Sequence, residues 1–269
     1  MKFAIVGCQS EDSIHLPHYS EVITTPYGSV KVYHATTPAG NEVILLTRHS
    51  LSLVEDAYET NYRANIYALY LCGVTHIVSA SIAGTCDYTH KLGSFSLISD
   101  FIDFTRLRES TFRREHRLVT HVGMDSVFDE DMNDALEHII KERDIPYEGR
   151  CVYACTDGPR YETAAEVRMM RELGAQILGV TLVPEAPLSR EMGMKYASIA
   201  IIARYGTGMD HDITDEDLLR ISAQHKGKAL EVALTLVDSF LYRIENKIEV
   251  DHHDMGFLYS PSCVAAYKL

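Results

Sequence analysis

The sequence predicts an α/β fold in which helices flank a central, largely parallel or mixed β-sheet. Its 269 residues can bury a substantial core, and its apolar and charged fractions of 46% and 23% are ordinary for a globular protein. Short apolar runs alternate with helical patterns along the chain, which is typical of this class. Because no tandem repeat or Pro/Ser-rich linker divides the chain, we expect a single domain over residues 1–246 and a tail, residues 247–269, of unknown role.

The strand predictions rest on short apolar runs that are rich in β-branched residues and bounded by Gly, Pro or polar residues. The most apolar stretch of the chain, Tyr196–Ala203, lies in the last of these runs. The predicted strands are Lys2–Val6, Glu42–Thr47, His76–Ala80, Ser94–Ser99, Arg150–Ala154, Gln176–Val180 and Lys195–Ala203.

The helix predictions rest on apolar residues that recur on one face and on signals at the helix ends. The segment Asn61–Cys72 places Tyr62, Ile66 and Leu69 on one face and stops at Gly73. Acidic residues at the start of the last helical segment suit a helix N-terminus. The other predicted helices are Met132–Glu142, Thr163–Leu173 and Asp215–Tyr242.

Composition excludes several classes of function. Lys and Arg number 25 against 38 Asp and Glu, and this net charge of −13 argues against a general nucleic-acid binder. Tyr196–Ala203 is far shorter than the ~18 apolar residues of a membrane span. The N-terminus runs straight into a strand pattern instead of a signal peptide, so we expect a cytoplasmic protein that binds no membrane. The six cysteines are then expected to be reduced thiols.

No metal site is predicted from the cysteines and histidines. Cys151 and Cys155 form a CxxxC pair without a second pair at zinc-binding spacing. The neighbouring His252 and His253 would point apart in regular structure, so they are interpreted as part of a solvated tail.

Ligands in open α/β sheets bind at the carboxyl ends of strands, so the segments that follow strands are the candidate sites. Gly7-Cys8-Gln9-Ser10 offers backbone N–H groups and a hydroxyl to an oxyanion, or forms an ordinary turn. Arg48 and His49 could bind phosphate, or Arg48 could form a surface salt bridge. The small residues of 81–85 would let backbone approach a ligand closely, or simply form a tight turn into a loop.

Three later segments carry further polar groups. Residues 157–163 combine a Gly-Pro turn with the Tyr161 ring, which can stack, and the Glu162 carboxylate, which can accept hydrogen bonds. Residues 181–185 supply a hydroxyl, a rigid turn and a carboxylate. Arg204 ends the most apolar strand, either exposed at the sheet edge or as part of a site.

Read together in this order, these segments resemble the trimeric purine nucleoside phosphorylase and 5′-methylthioadenosine phosphorylase family, with the methylthioadenosine branch most similar. The resemblance runs from about Lys2 to about Asp238. The matching stretches are Asn61-Tyr62-Arg63-Ala64-Asn65-Ile66, Asp100-Phe101-Ile102-Asp103, Gly158-Pro159-Arg160-Tyr161-Glu162-Thr163-Ala164-Ala165-Glu166, Thr181-Leu182-Val183-Pro184-Glu185 and Tyr196-Ala197-Ser198-Ile199-Ala200.

The resemblance implies a single nucleoside phosphorylase domain and a reversible reaction. Phosphate attacks C1′ of a nucleoside, through an oxocarbenium-like transition state, and releases free base and ribose 1-phosphate or a 5-modified form of it. Inorganic phosphate is then the co-substrate, and no metal or organic cofactor is implied. The resemblance also implies a homotrimer with sites near subunit interfaces.

The resemblance assigns roles position by position. The phosphate and catalytic set is Ser10, Arg48, His49, Ser81, Thr181 and, at the base, Arg204. The nucleoside-binding set is Ile82, Ala83, His121, Tyr161, Glu162, Val180, Gly206 and Asp215. Within it, His121 would reach a neighbouring subunit's 5′ pocket, Tyr161 would lie beside the base, and Glu162 would accept a base N–H.

The base-binding positions depart from the family pattern. Arg204 replaces an Asp or Asn that contacts the purine, Gly206 replaces a second Asp of the 6-aminopurine enzymes, and Asp215 stands where an apolar residue lies near the 5′ group. Arg cannot act as a general acid near neutral pH, but it can donate hydrogen bonds to a developing anion or pair with Glu162. We therefore expect a phosphorylase of altered base specificity or, alternatively, a nucleoside-binding paralogue with little activity.

Overall fold

The computed structural model describes residues 1–7, 14–48, 59–112, 121–209 and 214–245. The strands in this part are β1 (Phe3–Val6), β2 (His18–Thr25), β3 (Gly28–Thr36), β4 (Glu42–Leu46), β5 (His76–Thr85), β6 (Phe95–Asp103), β7 (Tyr147–Cys155), β8 (Ile177–Gly179) and β9 (Lys195–Tyr205). The helices are α1 (Tyr62–Leu71), α2 (Glu130–Glu142), α3 (Ala164–Glu172), α4 (Leu182–Glu191) and α5 (Asp215–Glu245).

The strands form one mixed sheet in the order β2-β3-β4-β1-β5-β8-β7-β6-β9. The strands β1, β4 and β5 are parallel neighbours, whereas β2, β3 and β4 form an antiparallel arm. The last strand, β9, pairs with β6 and also returns to pair in parallel with β5. The strands β5, β8, β7, β6 and β9 therefore close into a ring, from which the other four extend as an open arm.

Helices cover both faces of the sheet, and the alternation of side chains along β1 shows how. Ala4 and Val6 pack in one core with side chains of α1 and α4. Phe3 and Ile5 pack in the other core with side chains of α2 and α5. A strand that is buried on both faces has a continuous run of apolar residues. Because β1 has such a run, its sequence predicts a strand.

The predicted α/β class with a mixed sheet is confirmed, and the four predicted helices lie within a few residues of α1, α2, α3 and α5. Three elements were not predicted. The strands β2 and β3 form a hairpin whose first strand is mostly exposed, so it lacks an apolar run. Helix α4 contains Pro184 and Pro187, which argue against a helix when only the sequence is read.

One boundary changes the site. Residues 81–85 were expected to follow the end of a strand and either let backbone approach a ligand or form a tight turn, but they continue β5 as far as Thr85. Their backbone is held by pairing with β9 and β8, so this segment is a rigid wall. No helix among the described residues has the length and hydropathy that are needed to cross a membrane.

Candidate active site

A cavity of about 220 Å³ opens where the ends of β5, β8 and β9 meet the loop that follows β7. Strand residues with small side chains, such as Ala83, Gly84 and Gly179, form part of its lining, and α5 contributes the apolar side chain of Leu218. The lining residues are Ile82, Ala83, Gly84, Asp157, Gly158, Pro159, Arg160, Tyr161, Leu178, Gly179, Val180, Arg204 and Leu218. Three of the segments that the sequence analysis singled out therefore meet at one cavity: residues 81–85, residues 157–163 and Arg204.

Arg204 is the charged side chain of β9 at this cavity, and it is 15% exposed. Its Nη2 donates to Glu162 Oε2 at 2.9 Å, and its guanidinium carbon lies 4.0 Å from the centre of the Tyr161 ring. Stacking on an aromatic face and pairing with a carboxylate are both favoured by the planar guanidinium. Of the two arrangements considered for Arg204, the structure has the pair with Glu162.

The Glu162 carboxylate is almost fully buried, with its side chain 1% exposed. Its second oxygen, Oε1, accepts a hydrogen bond of 2.9 Å from the Thr156 hydroxyl. The next residue, Thr163, caps α3 in a reciprocal capping box with Glu166, which fixes where the chain enters the helix. Both oxygens of Glu162 are thus engaged, and its charge is compensated by Arg204.

Arg48 follows β4 in the left-handed region, with φ of 71°, and it is 4% exposed. Its Nε and Nη2 donate to the two oxygens of Glu185 at 2.7 and 3.0 Å, and its Nη1 donates to the carbonyl of Ala80 at 2.9 Å. The hydroxyl of Tyr196 donates to Glu185 at 2.7 Å. Arg48 does form a salt bridge, but a buried one within the protein and not one at the surface.

The surroundings of Arg48 hold its charge in place. Burial opposes the charged form, but the Glu185 carboxylate outweighs it and raises the pKa of Arg48 above its ordinary value. A Cβ atom on Gly7 would lie 2.1 Å from Arg48 Nη1, so only glycine leaves room for this side chain. The guanidinium is therefore a permanent, rigidly held cation at the end of β4.

Two of the three hydroxyls predicted to contact phosphate lie next to the cavity wall. Ser81 is buried and directly precedes Ile82 on β5, and Thr181 directly follows Val180. Thr181 occupies the N-cap position of α4, but its side chain makes no capping hydrogen bond. Its hydroxyl is thus not committed to the helix.

The remaining predicted residues lie in different places. Ser10 and His49 lie outside the described residues. His121 is exposed, and Asp215 is the first residue of α5. Gly206 packs against Val167 and Leu178, where a Cβ atom would come within 3.0 Å of either side chain, and its N–H donates to the Thr85 carbonyl.

Arg108 is a site residue that the sequence did not indicate, because it lies in a loop without a pattern. Its buried guanidinium donates to the carbonyls of Val180 and Asp157, which line the cavity, and of Val183 in the first turn of α4. It also lies over the Tyr62 ring, 5.3 Å from the ring centre. Arg108 therefore ties the loop after β7 to the start of α4.

Within the described ranges, no group of three or more His, Cys, Asp or Glu side chains is arranged to hold a metal ion. The described cysteines Cys72, Cys86, Cys151 and Cys155 are free thiols. Burial raises the pKa of the Cys86 thiol to about 11 and of the Cys155 thiol to about 12, which keeps both protonated near neutral pH.

Comparison with known proteins gives a consistent result. The family model of the phosphorylase superfamily matches residues 4–241. A probable 6-oxopurine nucleoside phosphorylase of Thermococcus kodakarensis is 36% identical over 229 residues, which are 82% of this chain and 84% of that protein. A probable S-methyl-5′-thioinosine phosphorylase of Methanosarcina acetivorans is 38% identical over 209 residues, or 77% and 78% of the two chains.

Solved structures agree with these sequence matches. A methylthioadenosine phosphorylase from Schistosoma mansoni in complex with adenine superposes with a TM-score of 0.82 at 25% identity, over 90% of this chain and 92% of that one. The extent of the family match and the identity to the curated relatives together establish the relationship. The chain belongs to the phosphorylase superfamily, as a pentosyltransferase with the nucleoside phosphorylase fold.

Proposed function

We propose that this protein catalyses the phosphorolysis of a purine-type nucleoside. An oxygen of phosphate attacks C1′, the bond from C1′ to the base nitrogen breaks, and the base leaves with the bonding electrons and takes up a proton. The products are ribose 1-phosphate, or its 5-modified form, and free base. The observation that carries the proposal is the cavity at the ends of β5, β8 and β9, with Ser81 and Thr181 beside its wall.

The phosphate half of the site would combine a fixed cation with hydroxyl donors. Arg48, Ser81 and Thr181 are the described members of this set, and Ser10 and His49 complete it in the proposal. Because Glu185 already compensates Arg48, the hydroxyls would carry much of the selectivity for phosphate. Positioning the two reactants together is one large contribution of such a site to the rate.

The base half would favour a base that presents hydrogen-bond acceptors. The two oxygens of Glu162 already accept hydrogen bonds from Arg204 and Thr156, so this carboxylate is not a free acceptor for a base N–H. The guanidinium of Arg204 carries further N–H groups and can only donate. A carbonyl oxygen or an unprotonated ring nitrogen suits it, whereas an amino group does not. We therefore propose a preference for 6-oxopurine over 6-aminopurine nucleosides, with either a hydroxyl or a methylthio group at the 5′ position.

The test is a panel of inosine, guanosine, adenosine and the 5′-methylthio forms of inosine and adenosine, incubated with and without phosphate. Chromatography of bases and sugar phosphates should show phosphate-dependent cleavage, fastest for the 6-oxopurines. Equal cleavage without phosphate would indicate a hydrolase. A thermal shift with a nucleoside but no turnover of any substrate would indicate the binding paralogue instead.

We also propose a homotrimer, on the resemblance to trimeric enzymes. In it the exposed His121 would extend the site of a neighbouring subunit. Light scattering coupled to size exclusion should give three times the mass of one chain, and a monomer that turns over substrate at the full rate would contradict this.

A further inference from the structure

A buried hydroxyl without a partner lies behind the cavity wall. Tyr153 belongs to β7 and is fully buried, and its hydroxyl has no hydrogen-bond partner of normal geometry among the described residues. Buried polar groups are nearly always paired, so each exception calls for an explanation. Burial raises the pKa of Tyr153 far above neutral pH, so the group is a neutral phenol that can donate one hydrogen bond.

The chain leaves room for this hydroxyl in an unusual way. The ring reaches across the neighbouring strand β8, where a Cβ atom on Gly179 would lie only 1.9 Å from the phenol oxygen. Glycine at this position is therefore a condition for the tyrosine to fit. Gly179 itself lines the cavity, so the phenol lies immediately behind that wall.

The neighbours of this hydroxyl are the two hydroxyls of the proposed phosphate site. Ser81 and Thr181 both lie beside the Tyr153 oxygen. Thr181 makes no capping bond to α4, so its oxygen has lone pairs to offer. A threonine hydroxyl has one hydrogen and two lone pairs. If it accepts from Tyr153, its own hydrogen is free to point at an anion.

We propose that Tyr153 is a positioning residue of the anion subsite, whose hydroxyl donates to Thr181 when phosphate binds and so directs the Thr181 hydrogen at a phosphate oxygen. This inference rests on the proposed phosphorolysis. The phenol makes no hydrogen bond of normal geometry in the structure, and a small rotation of the Thr181 hydroxyl on anion binding would pair the two groups. The residue acts on phosphate through Thr181 and does not touch the substrate.

The experiment compares Tyr153→Phe, Thr181→Val and the double variant in phosphate-dependent nucleoside cleavage. Tyr153→Phe should raise the KM for phosphate roughly threefold to tenfold, the range expected for one hydrogen bond, with kcat and the KM for nucleoside nearly unchanged. In the Thr181→Val background the same substitution should have no further effect. The matched control is Tyr147→Phe, which removes another buried and unpaired hydroxyl from β7, at the opposite end of the strand.

Several results would overturn the inference. One is a Tyr153→Phe variant whose KM for phosphate is unchanged, or whose KM values for phosphate and nucleoside rise equally. Another is a double variant whose rise in the KM for phosphate is the product of the rises in the two single variants. A Tyr153→Phe variant that fails to fold would also overturn it, because an unpaired hydroxyl cannot be essential to the empty protein. Its thermal midpoint without phosphate should match that of the wild type, and the rise in midpoint on adding phosphate should be smaller. If the wild type shows no phosphate-dependent cleavage, the proposed function has failed, which is a different outcome from these.

Discussion

Arg204 and Glu162 are 42 positions apart in the chain, yet they form an ion pair of 2.9 Å at the candidate base pocket. The carboxylate is buried and the guanidinium is stacked on Tyr161. A buried carboxylate without a cation would be costly, so Arg204 contributes to folding as well as to the selectivity that we propose. In the proposed base pocket, Arg204 would present hydrogen-bond donors to a base, whereas Glu162 alone would present acceptors.

Replacing Arg204 should therefore change the base preference. An asparagine can both donate and accept, so Arg204→Asn should admit an amino group. We expect the ratio of kcat/KM for inosine to that for adenosine to fall roughly tenfold, about the effect of one hydrogen bond. Arg168→Asn, which removes an exposed arginine of α3, is the control and should leave the ratio unchanged. A ratio that does not move in Arg204→Asn would contradict the assignment.

The pair of Arg48 and Glu185 makes a prediction about stability. Glu185→Gln keeps the shape of the side chain but leaves a buried guanidinium without its counter-charge, which should cost about 3 kcal/mol of unfolding free energy. Tyr196→Phe removes a neutral partner of the same carboxylate and should cost about 1 kcal/mol. Urea unfolding of both variants measures the difference. Equal costs would mean that the charge of Glu185 is not what stabilises Arg48.

His76 makes the stability depend on pH. Burial, followed by the charge of Lys195, lowers its pKa to about 4 in the folded protein. The unfolded chain, with an ordinary pKa near 6.5, takes up the proton first, so stability is lost as pH falls from about 7 towards 4.

We expect the wild type to lose about 2 kcal/mol more than His76→Phe between pH 7 and pH 5, because phenylalanine cannot titrate. The ring contacts of His76 with Phe3 and Phe240 can be kept by phenylalanine. His138→Asn, at an exposed histidine of α2, should leave the pH dependence of the wild type in place. Denaturant titrations of the wild type and both variants at the two pH values measure these differences in unfolding free energy.

The cap of α3 should affect both stability and substrate binding. Thr163 Oγ1 accepts from the Glu166 N–H at 3.2 Å, and Tyr161 and Glu162 stand immediately before it. Thr163→Ala should cost about 1 kcal/mol of stability and raise the KM for nucleoside, since the base-pocket residues lose their anchor. Thr163→Ser keeps the cap and should behave like the wild type. A loss of stability without any change in KM would show that the cap does not position the pocket.

The sequence predicted the elements whose signals are local. Helices α1 and α3 were predicted because apolar residues recur on one face and a glycine follows each helix, and the structure adds that Asn61 and Thr163 cap them. The hairpin of β2 and β3 was missed because β2 is mostly exposed and β3 mixes buried with exposed residues, so neither strand is a continuous apolar run. Helix α4 was missed because it is stabilised by tertiary packing in spite of its prolines.

The site, like the fold, has features with a local sequence signal and features that depend on residues far apart in the chain. The strand ends that line the cavity could be predicted, because ligands of α/β folds bind there. The pair of Arg204 and Glu162 was one of the arrangements expected and is confirmed, whereas the pair of Arg48 and Glu185 was not predicted. Arg48 and Glu185 are 137 residues apart, and nothing local distinguishes a buried ion pair from an anion-binding arginine. The unpaired phenol of Tyr153 had no signal in the sequence, since a tyrosine in an apolar strand is ordinary core.

Gly84 leaves space for the ion pair of Arg204 and Glu162. It stands opposite Arg204 in the register of β5 and β9, and a Cβ atom there would lie 3.2 Å from the guanidinium carbon. A side chain at position 84 would therefore require the guanidinium of Arg204 to shift by a few tenths of an ångström, so we expect substitutions at the two positions to be coupled. A library that aims to redirect base choice should randomise positions 84 and 204 together, because a change at either position alters the space at the other.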